Sequence, residues 1–281
     1  MTKKTTNNKS FNTRPATKSY KDKSTNQTQS KSHHKDFQNL KNNSGNYFMF
    51  GKHACLSALS NPKRIIQKIY ITDENLEFLP KNLSAKVEIL NSKEISKLLP
   101  NDAIHQGFAF LVTELKNNNL ESINFDDNTK LAILDQVTDP HNLGAILRTA
   151  AAFGISGIII PNDNSPPESA IVAKTACGAL ELVPIYRVTN ISSSINHLKK
   201  SNFWVIGLDG DTNETLNRKH FEGKSCIVLG AEGKGMRRLT RENCDAIVKI
   251  PIDAKMESLN VSNAASIAFY EAYLAKLNNA L

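Results

Sequence analysis

The residues best equipped for chemistry fall in three stretches in the second half of this 281-residue chain. They are Leu134-Asp-Gln-Val-Thr-Asp-Pro-His-Asn-Leu-Gly-Ala-Ile-Leu-Arg148, Val228-Leu-Gly-Ala-Glu-Gly-Lys-Gly235 and Ile250-Pro-Ile-Asp-Ala-Lys-Met-Glu-Ser-Leu-Asn-Val-Ser262. Each leaves a short apolar run and sets small or polar groups where a strand should become a loop. In an open α/β sheet, ligands bind at the carboxyl ends of the strands, so three such loops imply one shared site.

Taken singly, these residues leave two readings open. Asn142 is placed to cap the helix that follows it, and capping alone would account for it. At about 100° per residue, Arg148 lies about 160° from the mean direction of the apolar stripe Leu143, Ile146, Leu147, Ala150 and Phe153. It therefore faces away from the core, either as a solvated arginine or as a site residue. Glu232 is either a loop acid or a carboxylate held at a strand end. Ser258 and Asn260 either cap the C-terminal helix or reach a ligand. The glycines at 230, 233 and 235 imply unusual backbone angles or close approach of backbone to a ligand. Their order does not match GxGxxG and no Walker lysine-serine follows, which sets aside a nucleotide-binding oxidoreductase. No HxH, HExxH or Cys/His cluster points to a metal. No Gly-x-Ser-x-Gly elbow points to a serine nucleophile.

Short buried strands alternating with helices must hold these loops. Strands are expected at Leu131–Leu134, Gly157–Ile160, Phe203–Leu208, Cys226–Leu229 and Ile247–Ile250, whose near-continuous apolar runs suit a parallel sheet covered on both faces. Val261, Ala264, Ala265, Ala268 and Ala272 stripe a long C-terminal helix. The resulting expectation is a doubly wound α/β domain over residues 130–281. Ahead of it, residues 47–115 read as a small α/β unit. A loop enters a helix near Met49–Leu59, strands follow at Lys68–Thr72, Val87–Leu90 and Ile104–Val112, and Ser92 caps a helix reaching Leu99. The polar, aperiodic residues 116–129 read as a linker.

Charge is distributed unevenly. Residues 1–46 hold ten Lys or Arg against two acids, which is the whole of the chain's net charge of +8. With almost no aliphatic residues, this tail is expected to be disordered. It serves either nonspecific phosphate contacts or no role. Arg14 is its only arginine, unlike a transit peptide. No apolar run approaches the roughly 20 residues of a membrane span. The four dispersed cysteines read as reduced thiols, as in the cytoplasm.

Read together, the three loops resemble the three motifs of the SpoU, or TrmH-type, RNA ribose 2'-O-methyltransferases of the SPOUT superfamily. Asn142 and Arg148 carry the first, Gly230 and Glu232 the second, and Ser258, Leu259 and Asn260 the third. Phe50-Gly-Lys-His53, His105-Gln-Gly107 and Met236-Arg-Arg-Leu-Thr-Arg-Glu242 most resemble the branch that methylates a guanosine of bacterial large-subunit (23S-type) ribosomal RNA. Two features depart from the pattern: Met256-Glu257 stand where small residues are common, and Asn263 where an apolar residue is usual.

The resemblance implies a trefoil-knotted parallel-sheet methyltransferase domain behind a ribosomal-protein-like RNA-binding domain. It implies S-adenosylmethionine held by backbone around Gly230, Ile250 and Leu259, and a homodimer with the C-terminal helix in its interface. Arg148, Asn142, Glu232, Ser258 and Asn260 become the catalytic set. A ribose hydroxyl is a very weak acid, so its proton must leave as the methyl arrives. Arginine stays protonated. The expected role of Arg148 is therefore to orient the hydroxyl and an RNA phosphate that accepts the proton. The alternatives are a transfer-RNA ribose methyltransferase, disfavoured by the front domain, and a noncatalytic RNA-binding or ribosome-assembly factor on the same scaffold.

Overall fold

The structure is a computed structural model and describes residues 45–122 and 125–278. The expectation of a disordered basic tail therefore falls, but for its last two residues, outside the described residues.

The front unit is a mixed four-stranded sheet of β1 (Asn46–Phe50), β2 (Ile66–Ile71), β3 (Lys86–Ile89) and β4 (Phe108–Thr113), in the order β1-β4-β2-β3. Helix α1 (Lys52–Ser60) buries Ala54, Cys55 and Ala58 against it. Three local expectations need correction. Met49 and Phe50 end the edge strand β1 paired with β4 and are not part of a loop. The cap of helix α2 (Ser92–Ser96) is Asn91, not Ser92. Asn91 accepts from the Glu94 N–H at 3.0 Å while the Glu94 carboxylate accepts from the Asn91 N–H at 2.9 Å, a reciprocal capping box. The strand expected from Ile104 starts only at Phe108, because Gln106 (φ 54) and Gly107 (φ 82) first turn the chain.

The second sheet holds six parallel strands: β5 (Lys130–Leu134), β6 (Gly157–Pro161), β7 (Ile185–Val188), β8 (Trp204–Leu208), β9 (Ser225–Leu229) and β10 (Ala246–Val248). Side chains alternate between its two faces. Leu131, Ile133, Ile159, Val205 and Val228 face one core, closed by Ile191, Ile195 and Leu198 of helix α5 (Ile191–Lys200). Ala132, Leu134, Ile158, Ile206 and Ile227 face the other. That second core is covered by α3 (Pro140–Ala152), α4 (Ala170–Ala176) and, after the short helix α6 (Arg238–Glu242), α7 (Val261–Asn278), and it runs on into the front sheet through Met49, Ile71 and Phe110. Burial on both faces explains why β5, β6 and β9 read as unbroken apolar runs.

Strand order positions the site. The chain steps from β5 outward to β6 and β7, crosses back to β8, and then fills the gap between β8 and β5 with β9. All six strands are parallel, so the loops after β5, β8, β9 and β10 leave the same edge of the sheet. The reversal of winding at β5 and β9 is where such sheets bind ligands. Helix α3 can lie close to α4 because Gly144 has no side chain: a Cβ there would stand 2.6 Å from the Thr175 Cβ and 3.0 Å from the Val172 carbonyl oxygen.

The alanine stripe of the C-terminal helix does not face outward to a second subunit. Ala265, Ala268 and Ala272 are fully buried in the chain's own core. The outer face of α7 instead shows Ile267 and Tyr270, 39% and 47% exposed. The front and second sheets meet at an ion cluster. Arg64, whose side chain is wholly buried, bridges Glu168 at 2.5 Å and Glu181 at 2.7 Å and also donates to the Thr113 carbonyl. The Tyr47 hydroxyl donates to Glu168 at 2.8 Å, and Asn61 donates to Glu181 at 2.7 Å. Burial and the neighbouring Glu168 charge push the Tyr47 phenol well up.

Candidate functional site

Helix α3 opens with Asp139 as its cap and Pro140 in its first turn; Asp139 accepts from the His141 N–H at 3.0 Å. Asn142 is therefore not the cap, and its amide is free to reach across the sheet edge. It donates to Glu232 Oε1 at 3.0 Å. Asn260 Nδ2 donates to the same oxygen at 2.6 Å and to Asn142 Oδ1 at 3.1 Å, and the Val261 N–H completes the set at 3.3 Å. One carboxylate oxygen thus joins all three loops. Asn260 also takes the capping role, because its Oδ1 accepts from the Ser262 N–H at 2.8 Å at the start of α7. Capping uses the oxygen of this amide, and the cluster uses its nitrogen.

Glu232 is held up by a tight turn. Ala231 and Gly235 exchange two backbone hydrogen bonds of 3.1 and 2.9 Å, with Gly233 (φ 76) and Gly235 (φ 64) in the left-handed region that favours glycine. A Cβ on Gly230 would overlap the backbone of Gly235 and Met236. The turn can close only on a bare backbone.

Beneath this cluster lies a cleft of about 410 Å³. Gly230, Ile250, Leu259 and Ser258 all line it. So does the loop after β8, through Leu208, Asp209 and Gly210. The three-loop reading missed that fourth loop, although an apolar strand running into Asp-Gly-Asp carries the same signal as the others. Glu257, one of the departures from the family pattern, is on the cleft wall, while Met256 and Asn263 are exposed. Arg148 is exposed two turns along α3 from Asn142, and no hydrogen bond ties it to the cluster among the described residues.

Sequence reasoning also missed Asp135. It is fully buried at the end of β5, and it accepts from the Arg237 N–H at 2.9 Å and from Arg237 Nε at 2.7 Å, which ties the first loop to the second at their bases. An acid directly after the four apolar residues Leu131 to Leu134 was the available signal. Among the described residues, no group of three or more His, Cys, Asp or Glu is arranged to hold a metal, and no helix is long and apolar enough to cross a membrane.

The sequence profile of the SpoU rRNA Methylase family matches residues 129–270, spanning all three loops. The chain belongs to the SpoU methylase family. Residues 48–117 match a second profile, RNA 2'-O ribose methyltransferase substrate binding. Among SpoU relatives, the chain is 39% identical over 243 residues to the Haemophilus influenzae 23S rRNA (guanosine-2'-O-)-methyltransferase RlmB, covering 82% of this chain and 98% of that one. It is 37% identical over 235 residues to the Escherichia coli enzyme of the same name, covering 80% and 96%. The SpoU methyltransferase AviRb from Streptomyces viridochromogenes, solved in complex with the cofactor AdoMet, shares the fold with a TM-score of 0.71 at 19% identity, over 85% of this chain and 93% of that one.

Proposed function

We propose that this protein transfers a methyl group from S-adenosylmethionine to the ribose 2'-hydroxyl of a guanosine in large-subunit (23S-type) ribosomal RNA, working in the cytoplasm as a homodimer. The observation that carries the proposal is the joining of Asn142, Glu232 and Asn260 through one carboxylate oxygen at the mouth of the cleft. Relatives named for that guanosine reaction, matched over nearly their whole length, support the substrate.

The cleft fits the cofactor by size and by chemistry. Its volume lies in the range of small-molecule sites. Leu208, Leu229, Ile250 and Leu259 offer apolar walls to an adenine, and Gly210 leaves backbone open beside them. When bound, S-adenosylmethionine supplies an electrophilic methyl on a sulfonium. Asn142, Glu232 and Asn260 hold the loops in register, and Ser258 stands on the same wall. Arg148 orients the hydroxyl and a neighbouring RNA phosphate through its fork of donors, and that phosphate takes the proton. The loops after β8, β9 and β10 are proposed to thread as the family's trefoil knot. The outer face of α7, with Ile267 and Tyr270, is the proposed dimer surface.

The proposed domains are a basic tail at 1–46, a substrate-binding unit at 47–115, a linker at 116–129 and the catalytic domain at 130–281. To test the function, purified protein is incubated with labelled S-adenosylmethionine and unmodified ribosomal RNA, followed by nucleoside analysis. Label in 2'-O-methylguanosine is expected. Label on a base would overturn the reading.

A further inference from the structure

Three arginines follow the second loop, and they are held differently. Arg238 pairs with Glu242 at 2.6 Å on the surface, one turn away. Arg241 spends Nε on Asp209 and Nη2 on the Asp211 carbonyl. Arg237 gives Asp135 only its backbone N–H and its Nε. Its side chain is 49% exposed, and among the described residues neither of its Nη groups has a partner.

The group that grips Arg237 is unusual in its burial. Asp135 is fully buried, its own N–H is bonded to the Leu229 carbonyl at 2.8 Å, and both of its oxygens go to Arg237. The next residue, Gln136, takes φ 67, a conformation rare for a residue with a side chain. The chain thus accepts a buried charge and a strained bend to fix one guanidinium by its inner edge. A free surface arginine loses several rotamers when it binds an anion, whereas one already held by Nε loses few. What remains is the Nη edge, whose paired donors match two oxygens of a phosphate.

Position narrows the ligand. Gly230 to Gly233 and Gly235 line the cleft, but Arg237 is not among its lining residues, so its free edge does not serve the small-molecule site. It stands instead between the bases of the first and second loops, on the same sheet edge as Asn142. We propose that Arg237 binds a backbone phosphate of the substrate RNA, with Asp135 as its positioning residue. The ligand class rests on the RNA-methylation reading above.

The test uses the full chain and an unmodified in vitro transcript of large-subunit ribosomal RNA. Binding is measured as a salt titration, S-adenosylmethionine binding by calorimetry, and methyl transfer by steady-state kinetics. Arg237→Ala should weaken RNA binding about tenfold and reduce the slope of log affinity against log salt by about one, the signature of one lost phosphate contact. KM for RNA should rise with kcat and cofactor affinity within about twofold. Arg237→Lys keeps the charge but not the fork, and should recover the salt slope and only part of the affinity. Asp135→Asn should raise KM in the same direction. If Asp135→Asn fails to fold, the two Arg237 variants decide. Unchanged RNA affinity and slope in folded Arg237→Ala would overturn the proposal, as would lost cofactor binding with RNA affinity intact. Wild-type protein that binds the transcript without methylating it would sink the catalytic reading while leaving the binding comparison legible.

Discussion

Arg64 offers the sharpest test of how the front sheet is held. Its guanidinium is wholly buried and donates to Glu168, to both oxygens of Glu181 and to the Thr113 carbonyl. Burial opposes its charge, but the Glu181 hydrogen bonds and the surrounding groups outweigh that and hold it above arginine's usual range. Arg64→Ala would leave two carboxylates, 10% and 1% exposed, without a counter-charge. Breaking a buried pair from one side costs about 3–5 kcal/mol. In a body of this size each kcal/mol moves the melting temperature by roughly 2–4 °C, so a fall of about 6–20 °C is expected. Thermal melts by circular dichroism give the fall, and partial proteolysis between residues 114 and 129 reports whether the front sheet has come loose. Adding Glu181→Gln removes one orphan charge, so the double variant should recover about 1–2 kcal/mol relative to additivity. A fall of less than about 2 °C, or strict additivity, would refute a buried cluster and the fixed placement that depends on it.

Three further outcomes follow from the site and the sheet. Glu232→Ala should cut kcat about a hundredfold, the scale of a small misplacement, with Glu232→Gln milder because it keeps an accepting oxygen; equal losses would mean that charge, not loop registration, matters. Gly230→Ala should cost about 1–3 kcal/mol in a urea melt and abolish cofactor binding by calorimetry, since the added methyl meets backbone; unaltered binding would show that the turn can relax. Lys130, 3% exposed at the start of β5, is pushed down to about 8 by burial and then by the Lys276 charge. The unfolded chain keeps that proton to about 10.5, so the wild type should gain stability as pH rises from about 8 towards 10.5. Lys130→Met should flatten that rise and be more stable at pH 7, on the order of 1–3 kcal/mol from the shift, and a wild type whose urea midpoint does not change from pH 7.5 to 9.5 would contradict this.

Five of the six strands of the parallel sheet were legible because a strand buried on both faces leaves an unbroken apolar run; the edge strand β7, broken by Arg187 and only partly buried, has no such run and was missed. The front unit was harder, since β1 is an edge strand that leads straight into α1 through Gly51. The joining of the site was not legible at all. Asn142 lies 90 residues from Glu232 and 118 from Asn260, and only the insertion of β9 beside β5 brings their loops together. Two local signals pointed the right way and were outweighed. Proline favours the first helical position, so Pro140 by itself assigns the cap to Asp139 and releases Asn142 for another task. The three glycines implied unusual backbone angles or close approach to a ligand; Gly233 and Gly235 do take positive φ, and the space beside Gly230 is filled by Gly235 and Met236. That glycine is required first for the chain to fold back on itself, and its place on the cleft wall follows from the closure. A residue can therefore answer to backbone geometry and still line a cleft, and Asn260 likewise does two things at once: its oxygen accepts at the start of a helix and its nitrogen holds the carboxylate that joins three loops.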